Sequence, residues 1–150
     1  MAQSLSRVYL HITFSTRNRQ PLIDDNISQE LWAYIGGTCR ALGCKSIRTG
    51  GYNDHVHICC ILSREMTQTK LVGEIKKESS KWIKTKGGQY REFYWQDGYG
   101  VFSVNPSEIE KVVEYIERQH EHHKKRTYQE ELLAFLKKYK VEYDERYLWN

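Results

Sequence analysis

Gly51-Tyr52-Asn53-Asp54-His55-Val56-His57-Ile58-Cys59-Cys60-Ile61-Leu62 is the stretch on which the reading of the fold turns. It reads as a turn followed by an apolar strand with two histidines in its first half. Residues two apart in a strand point to the same face, so His55 and His57 project side by side and Val56 and Ile58 point the other way. Neutral imidazole is a good ligand for Mn, Zn or Ni, so the pair is a natural half of a metal site. A bare His-x-His reads equally well as two half-exposed strand residues, and the rest of the chain has to decide.

Upstream, Lys45 to Gly51 is a short strand at hairpin distance, expected to pair antiparallel with the histidine strand. Further back, Arg7 to Thr16 alternates: Val8, Leu10, Ile12 and Phe14 face one way, Tyr9, His11 and Thr13 the other. His11 therefore reads as a plain surface histidine that could line a site. Between these strands lie a basic loop, Arg17-Asn18-Arg19-Gln20-Pro21, and a helix with Ile27, Leu31, Tyr34, Ile35, Thr38 and Leu42 at helical spacing. Asp24 or Asp25 is its expected cap and Gly43 its stop.

Downstream, a second helix from Thr67 to about Lys84 buries Leu71, Ile75, Trp82 and Ile83 and presents Lys70, Lys76, Lys77, Lys81 and Lys84. Glu92 to Trp95 and Tyr99 to Val104 read as two strands around Gln96-Asp97-Gly98, a hairpin signal. Asn105-Pro106-Ser107-Glu108 opens a third helix with the stripe Ile109, Val112, Val113 and Ile116. A fourth runs from Tyr128 to Lys140, before a tail too aromatic to be a solvated end. The order predicts an α+β, ferredoxin-like antiparallel sheet with two helices on one face and a C-terminal helical segment carrying Tyr115. His11, His55 and His57 would occupy the other face, with the third helix as its cover.

The 150 residues fit a single domain, 1–150, with a real core. A charge of +4 permits a polyanion partner without requiring one. The chain has 11 Tyr and 4 Trp, and basic residues interleaved with aromatics suit single-stranded nucleic acid. The 4 cysteines form no Cys-x-x-Cys pair, which excludes a zinc framework and a secreted disulfide scaffold. No apolar run spans a bilayer and no signal peptide opens the chain, so a cytoplasmic protein with no membrane partner is expected.

Tyr115 and Gln119 lie four apart on the third helix, roughly 40° from each other, so they share a side. Gln119 offers a carbonyl oxygen as a third ligand, and Tyr115 a phenol that can attack an electrophile polarised by a metal. A tyrosine at a helix margin is, when alone, a packing residue. His120, His122 and His123, beside Lys124, Lys125 and Arg126, read as a solvated basic helix end.

Asn53-Asp54-His55-Val56-His57, Ile75-Lys76 with Ser79-Ser80, Trp95-Gln96-Asp97-Gly98-Tyr99 and Tyr115-Ile116-Glu117-Arg118-Gln119 follow in this order. Together they resemble the small tyrosine transposases of the insertion-sequence 200/605 family, which are HUH (His-hydrophobe-His) single-strand endonucleases. Lys77 stands where relatives often carry Gly. The resemblance implies that His55, His57 and Gln119 hold a divalent metal, Mg or Mn, and that Tyr115 is the nucleophile. It implies cleavage and rejoining of single-stranded DNA through a 5′-phosphotyrosine, recognition of hairpin ends, a homodimer and no nucleotide cofactor. The basic loop with Arg17 and Arg19, the face with Lys76 and Lys77, and the aromatics Tyr94, Trp95 and Tyr99 are the expected DNA surface. The alternatives are a domesticated relative acting on repeat palindromes and a non-enzymatic ferredoxin-like nucleic-acid-binding protein.

Overall fold

The computed structural model describes residues 2–122 and 125–150; the side chain of His122 lies outside them too. The elements run β1 (Tyr9–Ser15), α1 (Ser28–Ala41), β2 (Lys45–Tyr52), β3 (His55–Ile61), α2 (Gln68–Lys84), β4 (Gly100–Ser103), α3 (Ile109–Glu117), α4 (Gln119–His122), α5 (Tyr128–Lys138) and α6 (Glu145–Leu148). The strands form one sheet in the order β2-β3-β1-β4, antiparallel throughout, which is the ferredoxin-like arrangement.

Alternation along β1 and β3 sorts the residues onto two faces. Ile12 stands opposite Ile58, and Leu10 opposite Cys60; with Phe14 and Val56 they enter a core closed by Leu31, Ile35, Leu71 and Ile75 of α1 and α2. Thr13 stands opposite His57 and Ser15 opposite His55, on the other face. That face is also buried: His11, Thr13, Ser15, His55 and His57 are each 0–1% exposed. The cover is shared. α3 and α4 lie over β2 and β3, while α5 brings a second apolar cluster of Tyr128, Leu132 and Leu136 against Phe102 of β4.

Local chemistry sets the element ends. Gly43 ends α1 with φ of +77°, a conformation that favours glycine. Thr67 caps α2 by accepting from the Lys70 amide, and Thr127 and Glu130 close a reciprocal capping box on α5. Gly50 lets α3 approach the sheet: a Cβ there would stand 2.8 Å from Cγ2 of Ile116. Leu148 and Trp149 pack into the α5 cluster, so the aromatic tail folds back on the body, although Tyr143 and Tyr147 stay exposed.

Three expectations are corrected. The hairpin around Gln96-Asp97-Gly98 does not form; β4 has no partner strand in 92–95, and Trp95 makes a single bridge to Thr16. The backbone here is engaged elsewhere. Nζ of Lys76 donates to the carbonyls of Gln96, Asp97 and Gly98 at 2.8, 2.9 and 2.9 Å, and the Gln96 amide donates to Ser15. The third helix breaks at Arg118, whose φ of −98° and ψ of 19° separate α3 from α4. The fourth ends at Lys138, two residues early. Among the described residues, no helix is long and apolar enough to cross a membrane.

Candidate active site

Three pieces of backbone aim the site's side chains. β3 holds His55 and His57 one above the other, with ring centroids 5.0 Å apart. The α3–α4 junction carries Tyr115 and Gln119, and α5 carries Glu131 between Tyr128 and Phe135.

Nδ1 of His55 lies 2.7 Å from Oδ1 of Asp54, and its Nε2 lies 2.7 Å from Oε1 of Gln119. Nε2 of His57 lies 2.6 Å from Oε1 of Glu131. The hydroxyl of Tyr115 donates to Oε2 of the same carboxylate, and the Gln119 amide donates to that oxygen at 3.4 Å. The buried Tyr128 ring lies tilted at 32° to His55, with centroids 4.7 Å apart.

The structure therefore brings Tyr115, Gln119, His55 and His57 together within one chain. It adds Glu131, absent from the sequence reading, and gives Asp54 and His11, which that reading placed beside the histidines without a role, specific partners. Glu131 is 1% exposed and central. Asp54 orients His55. His11, read as a surface histidine, is 1% exposed and sets Nε2 2.8 Å from Nδ1 of His57. A signal for Glu131 was present: it falls at helical spacing with Tyr128, Leu132 and Phe135, a charge inside an apolar stripe. For His11 two signals pulled apart: its place on the face expected to lie under the third helix, and its polar character, which alone reads as surface.

The electrostatics follow from burial. Burial, and next the neighbouring His57, push His11 down to about 3, so its ring is neutral. Burial and then Glu131 hold the Tyr115 hydroxyl well above the ordinary tyrosine value, so it keeps its proton until something takes it.

The donor set suits a divalent cation. With the His55 Nδ1 proton held by Asp54, Nε2 presents a lone pair toward Gln119 Oε1, itself an acceptor, and such a pair calls for a proton or cation between them. Ligand atoms of His55, His57 and Glu131 lie within 4.8 Å of one another. Second-sphere acceptors on ligating histidines are the usual accompaniment of metal sites.

The expected DNA surface divides. Arg17 is exposed, with its guanidinium 5.0 Å from the Tyr94 ring; Lys84 caps the same ring at 4.2 Å. Arg19 lies over Trp149 at 5.5 Å. Lys77 and Tyr99 are exposed. Trp95 is corrected: it is 6% exposed in the core, packed against Phe14 and Phe93, and donates from Nε1 to Ser79 Oγ at 2.9 Å, so it offers no face to a base. Lys76 is corrected too, because its ammonium is taken up by the three loop carbonyls. His120 is exposed and packs edge-on to Tyr52 at 5.1 Å; His123 and Lys124 lie outside the described residues.

The antiparallel α+β sheet thus carries a buried His55–His57–Glu131 cluster that could hold a metal ion, with a phenol on its carboxylate. Residues 4–119 match the sequence profile of the family described as "Transposase IS200 like", and the chain belongs to that family. Two solved structures share the fold. One, from Deinococcus radiodurans R1, is described as a candidate transposase; it is 17% identical, with a TM-score of 0.62 over 79% of this chain and 98% of that one. The other is a REP-associated tyrosine transposase bound to a REP hairpin, 18% identical, with a TM-score of 0.59 over 82% of this chain and 74% of that one. No curated protein matches the sequence.

Proposed function

We propose that residues 1–150 act as one metal-dependent transferase of single-stranded DNA in the cytoplasm, with Tyr115 as nucleophile and a 5′-phosphotyrosine as the intermediate. The observation that carries this reading is the shared carboxylate: Glu131 bonds the Tyr115 hydroxyl with one oxygen and faces His57 Nε2 with the other. His55, His57, Glu131 and Gln119 would hold Mn or Mg, and imidazole ligation favours Mn. When bound, the cation supplies charge to polarise the scissile phosphate.

Tyr115 Oη forms a bond to phosphorus as the bond to the 3′-oxygen breaks. The phenolic proton passes to Glu131 Oε2, and the departing 3′-oxygen takes up a proton from solvent water, leaving a 3′-hydroxyl. Bond number is conserved, so a 3′-hydroxyl can reverse the step without ATP. Asp54 holds His55, and Tyr128 excludes water beneath the pair. Arg17, Arg19, Lys77, Tyr94 and Tyr99 are the DNA surface that remains once Trp95 and Lys76 are removed. The chain works as a homodimer with two such sites.

The substrate class is DNA hairpins. The hairpin-bound neighbour of similar fold favours a second reading within it, in which the chain acts on dispersed palindromes rather than on the ends of its own element. Incubation with Mn²⁺ and single-stranded hairpin oligonucleotides from the flanking locus should give a denaturation-resistant protein–DNA adduct, absent in Tyr115→Phe. An adduct that persists in Tyr115→Phe removes that residue from its role. Metal-independent binding without cleavage leaves only a nucleic-acid-binding module. Oligonucleotides from dispersed palindromes, run in parallel, separate the two substrate readings.

A further inference from the structure

His11 takes no part in the chemistry above, yet it is 1% exposed beneath the site. Burying an imidazole is costly unless hydrogen bonds compensate. Phe102 and Phe135 stand edge-on to it, with centroids 6.4 and 5.0 Å away, so a phenylalanine would fill the space. What histidine adds is its bond to His57: Nε2 lies 2.8 Å from Nδ1. Its own Nδ1 is buried with no hydrogen-bond partner among the described residues, so one nitrogen alone repays its burial.

A ligating imidazole needs its second nitrogen held by a partner, which fixes ring and tautomer. The two site histidines are held differently. His55 has a carboxylate, Asp54, which only accepts and keeps the proton on Nδ1. His57 faces a carboxylate on its other side, at Nε2. While Glu131 is its neighbour there, Nε2 carries the proton and Nδ1 must accept. When Nε2 gives its lone pair to a cation, Nδ1 must donate. Only a group that can both give and accept at one atom's position serves both states, and a neutral imidazole does so by exchanging tautomers.

We propose that His11 is the positioning residue of His57, holding its ring in place and supplying a donor or an acceptor as the His57 tautomer requires. This rests on His57 being a ligand, and it is tested without DNA. Mn²⁺ is titrated calorimetrically into metal-free wild type, His11→Gln, His11→Asn and His11→Phe. The Gln amide reaches the place of Nε2 and can turn either way; the Asn amide stops near Nδ1, and Phe only fills space. His11→Phe and His11→Asn should weaken Mn²⁺ binding roughly 10- to 100-fold, the usual loss for such partners, while His11→Gln stays close to wild type. Unchanged affinity in His11→Phe, or equal loss in His11→Gln and His11→Phe, overturns the assignment.

Nitrogen-15 spectra of the wild type keep the test alive should a variant not fold. On addition of Zn²⁺ as a diamagnetic probe, His57 Nδ1 should move from an unprotonated to a protonated shift. A Nδ1 that stays unprotonated with the metal bound overturns the proposal. A missing DNA adduct alongside the expected Mn²⁺ pattern sinks the transfer reaction and leaves His11 in place.

Discussion

The two faces of one sheet obey different rules. Toward α1 and α2, β1 and β3 present Leu10, Ile12, Phe14, Val56, Ile58 and Cys60, a core that is apolar throughout. Toward α3 and α5 the same strands present His11, Thr13, Ser15, His55 and His57, just as buried and polar, with Cys59 the one buried apolar residue among them. An apolar face needs only shape and volume. A buried polar face is stable only when its groups find partners, so it fixes positions to hydrogen-bond precision. The first face holds the fold and the second holds the chemistry, with one peptide backbone rigidly between them.

The largest effect should come from breaking the apolar face. Phe14 is 0% exposed, and Phe14→Ala should cost about 3–5 kcal/mol of unfolding free energy, read from urea denaturation. Mn²⁺ affinity of the fraction that stays folded should be nearly unchanged. A large drop in that affinity would show that the faces are not separable.

Glu131→Ala tests the polar face. It takes the shared carboxylate away from the half-buried Tyr115 hydroxyl and from the buried Nε2 of His57, so the metal-free protein should lose about 1–3 kcal/mol. Mn²⁺ binding should weaken at the same time, which Phe14→Ala should not cause. A more stable Glu131→Ala protein would mean that the carboxylate is held at a net cost for the sake of the cation, as buried charges can be. That outcome would sharpen the contrast between the faces.

The comparison also explains what the sequence discloses. The apolar face was legible because its signal is periodicity: Leu10, Ile12 and Phe14 alternate, and Leu71 and Ile75 recur at helical spacing. His55 and His57 were legible from their strand, and Tyr115 and Gln119 from their spacing and the family resemblance. Taken singly, His11 reads as surface because alternation reports polarity, and polarity is ordinarily a proxy for exposure; the cover expected over its face was the third helix, and α5, farther along the chain, shares it through Tyr128 and Phe135. Glu131 stood out only as a charge inside an apolar stripe; its role was not legible, because its partners lie 74 and 16 residues away in sequence, at His57 and Tyr115. The loop at 96–98 was misread for a related reason. Its composition favours a hairpin, but the Lys76 ammonium collects the carbonyls a neighbouring strand would have used.

The smallest effect belongs to the surface outside both faces. Arg17 is exposed and touches the sheet's interior through neither side; its guanidinium rests on the Tyr94 ring 5.0 Å away, in the 3-10 turn of Arg17–Arg19. Cations beside an open ring suit a single strand, whose bases stack and whose phosphates release counterions on contact. Arg17→Ala should leave stability within about 0.5 kcal/mol, as surface changes do. It should not alter Mn²⁺ affinity. The slope of log affinity for a single-stranded hairpin against log salt should fall by about 0.7, the contribution of one phosphate contact on a single strand. An unchanged slope would place the DNA path elsewhere, toward Lys77 and Tyr99. A changed Mn²⁺ affinity would tie this loop to the polar face, which it reaches through the Thr16 amide bond to the Asp54 carbonyl at 2.8 Å.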